Sequence, residues 1–287
     1  MSSAAIGQKA WGLKRSLLYA PAINARALEK ALELDSDAVI LDLEDSVGAE
    51  AKDQARAAAV AAIRRGFPGK TVALRCNGLD TPWGQADLKA AVEARPDVVV
   101  LPKVSTPEVI HAVTRGIGQD IRLWAMIESC TALIRMPDIA GAARTSGLSA
   151  LLVGTNDLVA EMRCRVGVDR AALVPALSQV VITARAWGLA PLDGPFNDYQ
   201  DPGGFEIQCR QAAELGFDGK SLIHPSQIEA ANRAFSPTPE AIAWARAVIA
   251  AFAANPKAGV LSVDGKMVER MHLREAEAIA AFAMRDA

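Results

Sequence analysis

Eight short apolar runs recur along the first 223 residues and constrain the fold more than any other feature of the sequence. Most of these runs are continuous stretches of aliphatic side chains, which is typical of parallel strands that are covered by helices on both faces. The run at 189–192 is the weakest, because its proline disfavours a regular central strand. The eight runs are 16–20, 38–43, 72–76, 98–101, 123–127, 150–153, 189–192 and 220–223.

Helix-like stretches separate these runs. Asn24 can cap the first helix, and Pro107 can occupy the first turn of the third. Alternating strands and helices imply βαβ units, and eight such units predict an α/β fold, a closed (β/α)8 TIM barrel of about 250 residues. A doubly wound open sheet is the alternative, since a strand count from one sequence is easily off by one. The helices predicted within the barrel are 25–35, 49–65, 107–116, 169–187 and 204–215.

The pattern changes after residue 225. We predict a barrel over 1–225 and a helical C-terminal extension over 226–287. Within the extension, the sequence predicts a helix over 240–254, an apolar stretch that ends in a turn at 259–267, and a last helix over 268–284. This extension can close over the mouth of its own barrel or reach a neighbouring subunit.

The composition excludes several classes of partner. The chain has 31 basic and 33 acidic residues without a basic block, and only 5% of its residues are aromatic, so no nucleic acid partner is expected. No run of about 18 apolar residues predicts a membrane span, and the start of the chain lacks the apolar core of a signal peptide. The four cysteines form no CxxC pair. We therefore expect a cytoplasmic protein with reduced thiols and no membrane partner.

Polar residues follow the ends of most of the predicted strands. Active sites of (β/α)8 barrels lie at the carboxyl ends of the strands, so these residues are the candidates for chemistry. Seven of the eight ends carry an ionisable group, which is hard to attribute to the general polarity of strand ends. The candidates are Glu44 and Asp45, Arg75 and Asn77, Lys103, Glu128, Asn156 and Asp157, Asp193, and His224.

Glu128 and Asp157 follow the fifth and sixth strands, which are neighbours in a barrel. Neighbouring strands lie about 5 Å apart, so the two carboxylates repel each other unless a cation lies between them. Mg²⁺ is usually held by one or two carboxylates, with substrate and water completing its coordination. The pair therefore predicts a magnesium site, whereas three histidines without an HxxxH spacing disfavour zinc. The alternative is a buried ion network of Glu128 with Arg75 or Lys103.

Arg75 is the candidate cation for the substrate. Its planar guanidinium matches a carboxylate or an enolate oxygen, and together with a metal it would stabilise developing negative charge. Its alternative role is a salt bridge to Glu44 or Asp45. His224 can contact the substrate, but a role in orienting its loop through a backbone hydrogen bond is supported at least as well. We assign substrate binding to Arg75, Lys103, Asn156 and His224.

These motifs resemble those of the citrate lyase β-subunit-like family within the HpcH/HpaI aldolase superfamily. Their order and spacing match over nearly the whole chain, and DLEDSV, IHPSQ and DGKMV form the specific part of the match. The matching segments are 15–22, 37–47, 74–78, 101–104, 126–129, 153–158, 216–228 and 263–268.

The resemblance implies a barrel of the phosphoenolpyruvate/pyruvate type, assembled as homotrimers or homohexamers, with Mg²⁺ held at the carboxylate pair. Arg75 would contact the small acid, and Glu44 and Asp45 would support the site. Asp264 would act as the acid–base group, offered by a neighbouring subunit. The implied activity is Mg²⁺-dependent carbon–carbon cleavage or formation of a 3-hydroxy-acyl-CoA, such as malyl-CoA or citramalyl-CoA. The products of cleavage are acetyl-CoA, or a homologue, and an α-keto acid.

Three alternatives to this lyase activity stay open. A thioesterase of the same scaffold would release free CoA and malate without changing a carbon–carbon bond. A class II aldolase would act on free pyruvate without CoA, although the DGKMV segment disfavours it. A non-catalytic subunit of a lyase complex is the third, and the retained charged residues at the strand ends disfavour that reading.

The sequence departs from the family pattern at two places. Asn156 stands where relatives commonly carry Glu, which removes a negative charge beside the predicted metal. The segment 269–272 replaces a short acidic, proline-containing turn. The segment 194–204 resembles the substrate-specificity loop but does not identify the acid. The candidates for binding the CoA phosphates are Lys14, Arg15, Arg26 and Lys30, which can equally form a solvated face.

Overall fold

The computed structural model describes residues 14–284 except 119 and 168. These residues form two compact units, one over Lys14–Phe235 and one from Ser236 onwards. The boundary therefore lies ten residues beyond the predicted one at 225. The reason is packing, since Ile228 and Phe235 are buried in the hydrophobic core around the barrel.

The first unit is a closed barrel of eight parallel strands in sequential order, with β1 hydrogen-bonded to both β2 and β8. Every predicted run coincides with a strand to within two residues at either end, so the predicted TIM barrel is confirmed. The strands are β1 (Ser16–Pro21), β2 (Ala38–Asp42), β3 (Thr71–Arg75), β4 (Val98–Leu101), β5 (Arg122–Ile127), β6 (Leu148–Val153), β7 (Ala190–Asp193) and β8 (Gly219–Leu222).

Proline does not prevent β7 from pairing. Pro191 lacks an N–H donor, but its carbonyl still accepts a hydrogen bond of 2.9 Å from the backbone N–H of Asp218. The proline therefore removes one donor from the sheet without removing the strand.

Both faces of the strands are buried, in two separate cores. Alternate residues such as Ala38 and Ile40 fill the barrel interior with Trp124, while Val39 and Leu41 pack against the surrounding helices. This arrangement explains why the strands read as continuous apolar runs with no polar alternation.

Nine helices of the described residues accompany the barrel strands. Asn24 caps the first through its side-chain oxygen, which accepts from the backbone N–H of Ala27 at 3.1 Å. None of the described helices is both long enough and apolar enough to cross a lipid bilayer. The helices are α1 (Ala25–Glu33), α2 (Lys52–Arg65), α3 (Gly84–Ala94), α4 (Pro107–Ile117), α5 (Cys130–Gly141), α6 (Thr155–Met162), α7 (Val174–Ala186), α8 (Pro202–Leu215) and α9 (Ile228–Ala234).

Helix α7 begins later than the predicted start at 169. Arg170 adopts a left-handed conformation with φ of 49°, which interrupts a right-handed helix, and Pro175 lies in the first turn of α7. Helices α3, α5, α6 and α9 were not predicted. Weak local signals explain two of them, since α3 starts at a glycine and α5 contains Pro137.

The second unit consists of two helices and a hairpin: α10 (Pro239–Ala254), β9 (Val260–Val263), β10 (Lys266–Glu269) and α11 (Arg270–Ala283). Both predicted helices are present. The apolar stretch 259–267 is an antiparallel hairpin, whose turn residues Asp264 and Gly265 have φ of 50° and 75°. Two consecutive left-handed residues form the tight turn that hairpins favour, and Asp-Gly is its usual sequence.

Asp193 ends β7 but does not face the barrel interior. Leu192 belongs to the inner core, so the alternation places Asp193 on the side of the helices. There it accepts hydrogen bonds from Arg170 at 2.9 Å and from Lys220 at 2.7 Å, and none of the three side chains is more than 2% exposed. Although it was a candidate for chemistry, Asp193 is the anion of a buried ionic cluster in the outer layer.

Replacing this anion should destabilise the barrel strongly. Asp193→Asn leaves two buried cations without a counter-charge, so the free energy of unfolding should fall by about 3–5 kcal/mol. Asp218→Asn, which removes a partly exposed partner of Arg185, is the matched control and should cost less than about 1 kcal/mol. Equal losses for the two variants in urea denaturation would contradict the role of the buried cluster.

Candidate active site

A cavity of about 370 Å³ opens at the carboxyl ends of the strands. Every barrel strand except β4 contributes a residue to it, either from its last position or from the loop that follows. The lining residues are Tyr19, Pro21, Asp42, Asp45, Ser46, Arg75, Met126, Glu128, Gly154, Thr155, Asn156, Asp157, Pro195 and Ile223.

The two-residue alternation of the strands aims polar side chains at this cavity. Residues of the inner core are followed, two positions later, by a polar residue at the open end of the barrel. The parallel register also sets Asp42 directly beside Arg75. The pairs are Leu17 and Tyr19, Ile40 and Asp42, Ala73 and Arg75, and Met126 and Glu128.

Arg75 makes a two-pronged ion pair with Asp42. Its Nε donates to Oδ1 at 2.6 Å, and its Nη2 donates to Oδ2 at 2.7 Å. The guanidinium also lies over the ring of Tyr19, 4.8 Å from the centroid. Burial by itself raises the pKa of Asp42, but the hydrogen bonds and positive charge of Arg75, together with the hydrogen bonds from Ser46 and Glu44, outweigh it and hold that pKa below its usual value. The pair is therefore fully ionised and rigid.

The remaining edge of Arg75 faces an acidic turn, residues 42–46, at the end of β2. Its Nη1 lies 2.9 Å from Oε2 of Glu44 and 3.5 Å from Oδ2 of Asp45. The alternative considered for Arg75, a salt bridge to this turn, is therefore present in the structure. Asp42, the main partner, was missed by the sequence analysis, because it lies inside an apolar run. The alternation of β2 would have identified it.

Glu128 is a buried carboxyl group, only 5% exposed. Its Oε1 accepts a hydrogen bond from the backbone N–H of Lys103, whose φ is 52°. Its Oε2 lies against Gly154, where a Cβ atom would come within 2.3 Å of that oxygen. Burial, with a smaller contribution from Asp157, raises the pKa of Glu128 to about 7. A glycine at 154 is thus required to admit this carboxyl group to the cavity.

Asp157 completes the predicted metal pair. It lies in the first turn of α6, where the helix N-terminus favours a negative charge, and it is exposed at the cavity. Across residues 14–284, leaving out 119 and 168, no group of three or more His, Cys, Asp or Glu side chains is arranged to hold a metal. Two hard carboxylates nevertheless fit Mg²⁺, which commonly takes one or two carboxylates and keeps several waters.

Glu44 and Lys103 line a neighbouring cavity of about 360 Å³, with Asp45 common to both cavities. The Nζ of Lys103 is 3.8 Å from Oε1 of Glu44. Burial, and to a smaller extent Asp45, raises the pKa of Glu44 to about 8. Lys103 was assigned to substrate binding, but the structure places it beside the acidic turn, outside the lining of the first cavity.

Asn156 lines the first cavity and pairs with a residue of the loop after β7. Its Oδ1 accepts from Nδ2 of Asn197 at 2.7 Å, and its own Nδ2 donates to Oδ1 of Asn197 at 3.3 Å. The two amides thereby hold the loop that contributes Pro195 to the cavity wall. A Glu at position 156 could not make this reciprocal pair, because a carboxylate has no N–H to donate.

His224 was assigned to substrate binding, but it does not line the cavity. Its Nδ1 accepts from the backbone N–H of Ser226 at 3.2 Å, and its ring stacks on Tyr199 with centroids 4.7 Å apart. These contacts cap a short helical turn and hold the loop after β7. The loop-orienting alternative for His224 is the one that the structure supports.

Two groups of candidates remain, Asp264 in the second unit and four basic residues in or near β1 and α1. Asp264 is exposed at the tip of the hairpin in the second unit. Arg15 precedes β1, at the opposite end of the barrel, where it is 7% exposed and its Nη2 donates to Asp37 at 2.8 Å. Lys14 is 8% exposed in the same segment, so neither residue is at the mouth of the barrel, whereas Arg26 and Lys30 are exposed on α1.

Comparisons with known proteins identify the family and the relatives that this chain resembles. The family described as HpcH/HpaI aldolase/citrate lyase matches residues 15–225. A (3S)-malyl-CoA thioesterase of Cereibacter sphaeroides is 43% identical over 93% of this chain and 96% of its own. Citrate lyase subunit beta of Leuconostoc mesenteroides subsp. cremoris is 33% identical over 90% of this chain and 89% of its own. The structure of CitE from Mycobacterium tuberculosis in complex with magnesium, acetoacetate and coenzyme A matches with a TM-score of 0.77 and 28% identity. That match covers 95% of this chain and 98% of CitE.

The raised pKa values predict that the metal-free protein loses stability as the pH rises. Because the pKa of Glu128 is raised to about 7 and that of Glu44 to about 8, the folded state binds protons that the unfolded state releases above a pH of about 4. The stabilisation from these protons is complete below that pH and disappears as the pH passes 7 and 8.

Glu128→Gln imitates the protonated acid, so it should flatten the decline in stability between pH 5 and pH 8. The measurement is denaturation in EDTA at several pH values. Glu214→Gln, on the exposed side of α8, is the control and should keep the slope of the unmodified protein. An unchanged slope in Glu128→Gln would show that Glu128 is already ionised at pH 5.

Proposed function

The chain belongs to the HpcH/HpaI aldolase/citrate lyase family, and on that premise we propose that it is a Mg²⁺-dependent enzyme that hydrolyses the thioester of a 3-hydroxy-acyl-CoA of the malyl-CoA type. The observation that carries the proposal is the first cavity itself. Glu128, Asp157 and the ion-paired Arg75 line one space at the mouth of the barrel.

Glu128 and Asp157 would hold the metal. Their oxygen atoms match the preference of Mg²⁺, and the buried Glu128 is fixed by its hydrogen bond from Lys103. When bound, Mg²⁺ supplies positive charge to the oxygens of the hydroxy acid. The magnesium in the matching CitE structure supports this assignment.

Arg75 would orient the acid end of the substrate. Asp42 occupies two of its three nitrogen atoms, so only the Nη1 edge is available to a substrate oxygen. Glu44, with its pKa raised to about 8, is largely protonated at neutral pH. The negative charge that competes with the substrate for this edge is therefore reduced. Glu44 and Asp45 would thus hold Arg75 in place in the free protein. When the substrate binds, one of its oxygens would replace them at Nη1.

Proton transfer is assigned to Asp264. In hydrolysis, a water oxygen bonds to the thioester carbonyl carbon while a carboxylate accepts its proton. The carbon–sulfur bond then breaks, and the sulfur leaves with that proton as the CoA thiol. Asp264 suits this task because a rigid two-residue turn presents its carboxylate to solvent.

Carbon–carbon cleavage is the second candidate, and the match to citrate lyase subunit beta favours it. In that reaction Asp264 takes the proton of the 3-hydroxyl group. The bond between the hydroxyl-bearing carbon and the CH₂ carbon breaks, and its electron pair passes to an acetyl-CoA enolate that is later protonated. We place hydrolysis first because the thioesterase of Cereibacter sphaeroides is 43% identical over 93% of this chain.

Product analysis separates the two reactions. With malyl-CoA and Mg²⁺ we expect free thiol and malate in equal amounts and no glyoxylate, followed by thiol reagent and by trapping of the keto acid as a hydrazone. The same assays are repeated with citramalyl-CoA in place of malyl-CoA. Release of an α-keto acid without free thiol would contradict hydrolysis and identify the enzyme as a lyase. If neither thiol nor keto acid is released, the remaining hypotheses are a CoA-free pyruvate aldolase and a non-catalytic subunit.

Removing one metal ligand should abolish activity with either product. For Glu128→Gln we expect a loss of at least about 100-fold, the usual scale for an electrostatic group at a reacting centre, together with weaker Mg²⁺ binding in calorimetry. Glu214→Gln should leave both unchanged. Full activity of Glu128→Gln in the presence of EDTA would refute the metal assignment.

We further propose that Asp264 acts on a neighbouring subunit of a homotrimer or homohexamer. Asp264→Asn and Glu128→Gln should each be inactive alone. If the two variants are mixed, dissociated and reassembled, a part of the activity should return, because some sites then combine an intact Glu128 with an intact Asp264. Recovery is measured against each variant reassembled by itself. A complete absence of recovery in assembled mixtures would indicate action within one chain.

A further inference from the structure

We propose that Lys52 is the positioning residue for the acidic turn of the active site. This turn is the segment 42–46, which begins at the last residue of β2 and carries Glu44 and Asp45. The inference rests on the proposed function, since it is the contact of these two carboxylates with Arg75 that Lys52 would maintain.

Lys52 is buried beneath the turn, with 6% of its surface exposed. Its ammonium donates to the carbonyl oxygens of Leu43 at 2.8 Å and Glu44 at 2.7 Å, and to Oδ1 of Asn77 at 2.7 Å. An ammonium has three N–H donors, so every one of them is used. Two of the three bonds fix consecutive peptide groups, which sets the direction in which the side chains of Glu44 and Asp45 leave the backbone.

Asp42 holds the same turn through its N–H groups. Its Oδ1 accepts from the backbone N–H of Glu44 at 2.9 Å, and its Oδ2 accepts from the backbone N–H of Ser46 at 3.2 Å. An anion thus binds the donors of the turn while the cation of Lys52 binds its acceptors. Because residues 43–48 belong to no helix or strand, these side chains replace the hydrogen bonds that regular structure would supply.

Lys52 is itself held from behind by a buried polar chain. Asn77, which accepts from Lys52, donates to the carbonyl of Leu43 at 2.9 Å and to Oδ2 of Asp87 at 2.6 Å. Asp87 is fully buried and also accepts from Nε of Arg56 at 2.7 Å. This series of hydrogen bonds fixes the ammonium of Lys52 in one position. A lysine that only neutralised nearby negative charge would not need such a fixed position.

The acidic turn therefore lies between two cations with different tasks. Arg75 lines the first cavity and contacts the carboxyl groups of the turn. Lys52 lines the neighbouring cavity of about 360 Å³ and contacts the backbone of the turn. Without the ammonium, the carbonyl oxygens of Leu43 and Glu44 and Oδ1 of Asn77 each lose one hydrogen-bond donor, and the turn can move away from Arg75. A displacement of about 1 Å at a positioning group can lower a rate by about 100-fold.

The test compares Lys52→Met with Lys89→Met, an equivalent change on the exposed face of α3. We expect kcat with malyl-CoA to fall by about 10-fold to 100-fold in Lys52→Met, with KM changed by less than about threefold. In hydrogen–deuterium exchange, the amides of 43–48 should lose protection while those of β5 and α8 keep it. Lys89→Met should match the unmodified protein in both measurements.

Chemical rescue distinguishes a missing ammonium from general damage. Lys52 lines an open cavity, so methylammonium can reach the space left in Lys52→Ala. It should restore activity several-fold, while the neutral ethanol and the bulky tetramethylammonium should not. Restoration by methylammonium together with renewed protection of 43–48 would establish the positioning role.

Three outcomes would overturn the proposal: unchanged kcat and unchanged protection in Lys52→Met, loss of protection throughout the barrel, or equal effects in Lys89→Met. The exchange measurement needs no substrate. If the unmodified protein is inactive with malyl-CoA and citramalyl-CoA, the proposed function fails, while exchange at 43–48 still decides whether Lys52 holds the turn.

Discussion

Strands that are buried on both faces restrict where this protein can carry charge. Along β2 and β5, every apolar side chain belongs either to the inner core or to the core under the helices, and an unpaired charge in either place is costly. At the carboxyl end of the barrel, the inward-facing side chains line a cavity and are no longer enclosed by the inner core. The polar residues at that end therefore continue the alternation of the inner core. Where a charge does lie in the outer layer, as at Asp193, two buried cations accompany it.

A second constraint on the site is the imbalance of charge at the first cavity. Four carboxyl groups line it, against one guanidinium that is already paired: Asp42, Asp45, Glu128 and Asp157 against Arg75. Burial makes such an excess unfavourable, and the raised pKa of Glu128 shows one way of relieving it, by binding a proton. A divalent cation would relieve it in another way and would compete with that proton. The same imbalance thus links metal binding, pH and stability.

Much of the fold and part of the site could be predicted from the sequence. All eight strands were located because their apolar composition is a local property of the chain. Glu128, Asp157 and Arg75 were identified because they follow such strands. Helix α5 was missed, since its proline obscures the local pattern, and Asp42 was missed because it belongs to an apolar run. His224 and Lys103 were predicted at the same site but do not line the first cavity, because position relative to a strand end does not show the direction in which a side chain points.

The barrel, the end of it at which the cavity opens, and the family could all be inferred from the sequence. These properties follow from the order of hydrophobic and polar residues, and that order is present in the unfolded chain. Which residues come into contact could be read from the folded chain but not from the sequence. The two-pronged pair of Arg75 with Asp42 depends on strand register, and the place of Glu128 depends on the glycine that follows the neighbouring strand. Such contacts join residues that are 26 or more positions apart, and their geometry is set by the closure of the barrel.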